Sequence, residues 1–135
     1  MDATAYAAMW RVAQVCCGAD STLAAGIVAD AVAATRRRDL GTPAGEWQAL
    51  CRLIVQRVPA AGGSAGVDGL RRAVCDLPRD QRLAIALLDV AALDPRLAAA
   101  AVGRSRGALL RLRRRALAAL GGHDPRRRAW RLALI

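Results

Sequence analysis

The stretch PRLAAAAVGRSRGALLRLRRRALAAL, residues 95–120, decides the fold. Its apolar residues recur every three or four positions, the period of a helix with one buried face, and the rhythm breaks once, at Gly103-Arg104-Ser105. The break reads as a tight glycine-containing turn between helices at roughly 95–102 and 105–120. On the second helix Leu109, Leu112, Ala116 and Leu120 share one face, while Arg104, Arg111, Arg114 and Arg115 gather on the other. Helix, tight turn and helix form the skeleton of a helix-turn-helix.

Upstream of this unit, Leu83, Ile85, Leu87 and Leu88 mark a helical segment over 79–90 that restarts the chain after Pro78, and Leu70, Val74 and Leu77 suggest a short helix before it. Residues 59–69, PAAGGSAGVDG, hold four glycines in eleven residues and no periodicity, the composition of a flexible linker. Three further helices are expected on its far side. The first covers residues 3–17 with Tyr6, Met9, Trp10, Ala13 and Cys17 on its face. The second is capped by Asp20, Ser21 or Thr22 and places Leu23, Ile27, Ala31 and Ala34 in phase before ending in Arg36-Arg37-Arg38, cations that suit a helix C-terminus. The third opens at Thr42-Pro43, carries Trp47, Leu50, Cys51, Ile54 and Val58 on one face, and ends at Pro59. Composition agrees: the 135 residues are 55% hydrophobic, chiefly Ala and Leu, with no Phe and only 3% aromatics, so strand formers are scarce and the chain is expected to be all-α. That length holds one compact domain or two very small ones.

Charge is distributed unevenly. All 21 basic residues are Arg; residues 1–70 hold six against six acids, and residues 71–135 hold fifteen against five. The whole net charge of +10 therefore sits in the second half, which points to a polyanionic partner, nucleic acid before membrane, because no apolar run reaches the roughly 18–20 residues a span needs. The start of the chain lacks a basic n-region, so no secretory signal is expected, and the chain is placed in the cytoplasm. Cys16, Cys17, Cys51 and Cys75 have no CxxC spacing and only His123 to help them, so they are expected as free, mostly buried thiols without metal. No HExxH, phosphate-binding loop, GxSxG or paired-carboxylate motif occurs, and the acids are scattered singly, so neither catalysis, a small-molecule substrate nor a cofactor is expected.

Residues 77–120 resemble region 4 of the extracytoplasmic-function class of bacterial sigma factors. The resemblance rests on Leu77-Pro78 with Gln81-Arg82, then Leu87, Asp89-Val90, Leu93, Ala99, Gly103-Arg104-Ser105, Gly107, Leu109, Arg115-Ala116 and Leu120, without a gap over 44 residues. The first half is similar to region 2 more loosely, through Gly18, Asp20, the helix Gly26 to Val32, and Trp47 with Leu50, Arg52, Leu53 and Ile54. The resemblance implies a region 2-like unit at 1–58, a linker at 59–69, a region 4-like helix-turn-helix at 70–122 and a basic, apolar tail at 123–135. It also implies a transcription regulator that binds promoter duplex DNA through Arg104, Arg106, Arg111, Arg114 and Arg115, with core RNA polymerase as a partner.

Departures from the family pattern support a second reading. Gly26 and Ala29 stand where the family carries Asp and Gln, leaving Asp30 as the one polar residue of that helix to grip polymerase. Ala108, Leu110 and Arg111 replace the Thr, Lys and Ser of the recognition turn. On this reading the chain is a degenerate sigma mimic that binds an anti-sigma factor or polymerase, with Asp30, Leu110, Trp130 and Leu134 as contacts.

Overall fold

A computed structural model describes residues 2–18, 20–37, 42–61 and 69–121. Among these the regular structure is entirely helical: α1 (Ala3–Cys17), α2 (Ser21–Arg37), α3 (Pro43–Arg57), α4 (Gly69–Cys75), α5 (Arg79–Ile85), a π-helical segment (Ala86–Val90), α6 (Pro95–Val102) and α7 (Arg106–Leu120). Side-chain oxygens satisfy the first free amides of five of these helices. Asp2 accepts from the Ala5 amide at 2.7 Å, Asp20 from Leu23 at 2.9 Å, Thr42 from Gly45 at 3.1 Å, Asp94 from Arg96 at 2.8 Å and Ser105 from Ala108 at 3.1 Å. Pro43 and Pro95 each follow a cap, where the missing N–H is no loss.

The buried face of α3 is the expected one: Trp47, Leu50, Cys51, Ile54 and, just past the helix, Val58. Those of α1 and α2 are rotated from expectation. Met9, Val12, Ala13, Val15 and Cys16 are buried in α1, while Tyr6 is 43% exposed and Trp10 and Cys17 are half-buried. The reason is that α1 is covered on two sides, by α2 and α3 and by α5 with the π segment, so its buried arc is wider than a single stripe. Tyr6 and Trp10 are left at the rim, where the indole N–H donates to the tyrosine hydroxyl at 3.0 Å. In α2 the buried set is Ala24, Ile27, Val28, Ala31 and Thr35, with Leu23 and Ala34 half-buried; Thr35 donates its hydroxyl to the Ala31 carbonyl at 2.9 Å.

Residues on both sides of the glycine-rich stretch enter one continuous core. Met9, Val12, Ile27, Leu50 and Ile54 from the first half pack in the same cluster as Val74, Leu83, Ile85, Leu87, Leu109 and Leu120 from the second. Helix α3 lies on α6, whose buried Ala98, Ala99 and Ala101 allow close approach, and α1 lies on α5 and the π segment. Residues 62–68 of the expected linker lie outside the described residues.

Two arginines at the start of α5 join the halves through hydrogen bonds. Arg82, 4% exposed, donates from Nη1 to the Cys16 carbonyl at 2.6 Å and from Nη2 to the Pro59 carbonyl at 3.5 Å. Arg79 donates from Nη1 to the carbonyls of Val55 and Val58, at 2.9 and 3.1 Å. Helix C-termini leave carbonyls without intrahelical donors and carry partial negative charge, so guanidinium groups satisfy them on both counts. Beside this junction Gly18 adopts φ +63°, and a Cβ there would meet the Cys75 Sγ at 3.0 Å. The backbone conformation calls for glycine, and a side chain there would also have to push the Cys75 thiol aside.

Arg82→Met keeps the aliphatic stem and removes the donors. It is expected to destabilise the protein by about 2 kcal/mol, through carbonyls left unpaired in the interior. Urea unfolding followed by circular dichroism should show one transition with a lowered midpoint; an unchanged midpoint would remove Arg82 from the junction.

Candidate nucleic-acid interface

Gly103 ends α6 in the left-handed conformation, φ +69°, and three residues later α7 begins behind the Ser105 cap. The turn re-aims the chain so that α7 rests on α5 and α6 through Leu109, Ala116 and Leu120, which are buried, and Leu112, which is half-buried. At 3.6 residues per turn, Arg111, Arg114 and Arg115 fall on the opposite side of the helix, and all three are exposed. Arg106, in the first turn, is exposed as well. None of these four has an ion pair among the described residues. No acid occurs in α7, so nothing along it offsets their charge.

Two further arginines, Arg104 and Arg113, are engaged. Arg104, placed by sequence on the open face, donates from Nη2 to Asp80 Oδ2 at 2.8 Å, and Asp80 also contacts Arg79 at 3.3 Å. Arg113 makes a bidentate pair with Asp89, Nε to Oδ2 and Nη2 to Oδ1, both at 2.8 Å. Asp89 is 7% exposed and lies in the π segment, where the Ala91 amide donates five residues back, to Ala86, at 2.8 Å. Sequence reasoning missed this internal pair. The available signal was that Asp80 and Asp89 are two of only four acids in residues 71–121, which hold eleven arginines.

Of the candidate partner contacts, Leu110 is half-buried, on the flank of α7 between Arg106 and Arg114. Asp30 lies on α2 and is ion-paired with Arg57 of α3. Trp130 and Leu134 lie outside the described residues, as does His123.

The cysteines offer no chemistry at this surface. Cys16, Cys51 and Cys75 are buried, Cys17 is half-buried, and all are free thiols. Burial pushes all four thiol pKa values up, Cys17 to about 11 and Cys51 to about 12; for Cys16, burial outweighs the nearby Arg82, which acts in the opposite direction. A thiol held protonated is a poor nucleophile and metal ligand. Among the described residues no three His, Cys, Asp or Glu side chains come together in a way that would hold a metal ion. No described helix is long and apolar enough to cross a membrane.

Comparison of the chain with protein-family models, with curated proteins and with solved structures finds no match.

Two predictions distinguish engaged from open groups. Arg113→Ala leaves Asp89 charged and buried without its partner and is expected to lose about 2–3 kcal/mol of stability, whereas Arg114→Ala should stay within about 0.5 kcal/mol of the parent in the same urea titration. The thiols predict alkaline destabilisation. Their folded pKa values lie above the ordinary value of 9.0, so their contribution is complete below about pH 9 and falls as pH rises toward 11 and 12. The slope for each fully buried thiol is about 1.4 kcal/mol per pH unit. With no Lys in the chain, few other groups titrate there. Unfolding free energies measured at pH 8 and pH 10 should differ accordingly, and less so in Cys51→Ala.

Proposed function

We propose that the chain is a non-catalytic transcription regulator of the cytoplasm that docks α7 in the major groove of duplex DNA, in the manner of the region 4 it resembles. The observation that carries this reading is the division of arginines around α7. Asp80 and Asp89 engage Arg104 and Arg113, while Arg106, Arg111, Arg114 and Arg115 stay exposed with no acid among them. Arg106 also sits at the positive end of the α7 dipole, an arrangement that disfavours the isolated helix by tenths of a kcal/mol and favours a phosphate beside it. Guanidinium groups suit such a face because they bond phosphates and guanine edges bidentately. Core RNA polymerase is the protein partner on this reading.

The full chain should bind duplex DNA with an affinity that falls as salt rises, the log–log slope being about −3 to −4 if four arginines each displace a counterion. Alanine at Arg111, Arg114 or Arg115 should reduce the slope by about one. Arg104→Ala should change it less, since that side chain is engaged. Binding that ignores salt would overturn the reading.

The half-burial of Leu110 beside the arginines favours a second reading, the sigma mimic that takes an anti-sigma factor or polymerase instead of DNA. Asp30 does not separate the two readings, because its ion pair with Arg57 competes with a protein contact on either one. Leu110→Lys separates the two. On the DNA reading it adds a cation near the phosphates and should tighten duplex binding, with a slope larger by about one. On the mimic reading it puts a charge into a patch that a protein partner dehydrates, and capture of that partner should weaken about tenfold or more.

A further inference from the structure

The seam between α3 and the second half leaves a trough that the duplex reading does not use. Val55 stands in it with 44% of its surface exposed. To one side is a hollow of about 450 Å³ bounded by Cys51, Ala101 and Val102 together with Gln48, Arg52 and Gln56; to the other is a hollow of about 140 Å³ bounded by Leu83, Leu109 and Leu112 together with Arg79, Asp80 and Arg104. Val55 and Val102 line both, so they form a ridge between adjoining cavities. The charged residues around the trough are Arg52, Arg79 and Arg104 against Asp80 alone, and Asp80 is already held by two of the arginines. Arg52 is exposed and has no ion pair among the described residues.

We propose that this trough docks an acidic amphipathic helix of a partner protein. Apolar side chains at i and i+4 of a helix stand about 5–6 Å apart on one face, so two of them can straddle the Val55 ridge and enter the hollows on either side. The larger hollow takes an aromatic or methionine side chain, the smaller a leucine or valine. A carboxylate on the helix flank meets Arg52. A phosphate backbone would find the net positive charge here but brings no apolar group for the part of the hollows that Val55, Val102, Leu109 and Leu112 line. The proposal is independent of the duplex reading.

The test uses the full chain and a labelled synthetic helical peptide with two leucines four residues apart among glutamates, titrated by fluorescence anisotropy. The peptide is expected to bind. Replacing both leucines by serine, or making Val55→Asp, Val55→Gln or Arg52→Glu in the protein, should weaken binding about tenfold or more. Arg114→Ala should leave it within about twofold, and duplex binding of the Val55 variants should likewise be unchanged to within about twofold. Val55 is exposed over less than half of its surface, and the neutral Gln variant keeps the test decisive if Asp perturbs helicity. Equal binding of the leucine and serine peptides would mean adsorption by charge alone and would overturn the proposal. Wild-type affinity in both Val55 variants, or no binding, would also overturn it. So would self-association of the chain that Val55→Asp abolishes, since that assigns the trough to a second copy. Duplex DNA binding is measured separately, so the failure of either proposal is recognised without the other.

Discussion

A buried guanidinium joins the ends of helices that are far apart in sequence, and the arrangement of the rest follows from it. Arg82 reaches the last turn of α1 and the chain just beyond α3 from a single position at the start of α5. Its cost is considerable: an ion removed from water loses several kcal/mol of solvation, and Nε has no hydrogen-bond partner among the described residues. The compensation comes from carbonyls that would otherwise be orphaned and from the buried Leu83, Ala84 and Ile85 that follow it in the same helix. Arg79, one turn earlier, does the same for α3 with a more exposed side chain. Once these ends are held, α6 can settle on α3 through its small alanine face, and the orientation of α7 is set by α5 and α6 together.

Arginine therefore serves two opposed purposes in one short segment. Arg79, Arg82, Arg104 and Arg113 are turned toward carbonyls or carboxylates of the protein, and Arg106, Arg111, Arg114 and Arg115 toward solvent. With no Lys in the chain, residue type cannot separate the two groups; only the positions of Asp80, Asp89 and the helix ends do so. A basic helix face is in this sense defined by its acids.

Much of the fold was legible because its boundaries are written in local chemistry. Thr42-Pro43 opens α3 and Gly103 closes α6, and these are decided by backbone geometry within a few residues. The faces of α1 and α2 were less legible, since which arc is buried depends on how many neighbours a helix has, and Tyr6 looks apolar wherever it lies. The union of the two halves in one core was not legible at all. Hydrophobic periodicity reports that a helix has a buried side and is silent about which helix covers it. The same limit applies to the interface. Arg111, Arg114 and Arg115 follow from helical phase, but Arg104 was assigned to the open face because its partner lies 24 residues away. Helical phase puts Arg113 on the side of Leu109, Ala116 and Leu120, but its partner Asp89 is likewise 24 residues away.

The bond from Arg82 to Cys16 spans 66 residues, and that separation has a meaning during synthesis. At ordinary translation rates the nascent α1 waits roughly 3 to 13 s for the segment that completes its burial. Through that interval Met9, Val12 and Cys16 have only α2 and α3 to lean on, and the side that α5 will cover remains wet. The first half leaves the ribosome as an unfinished surface, and the arrival of one arginine turns it into an interior.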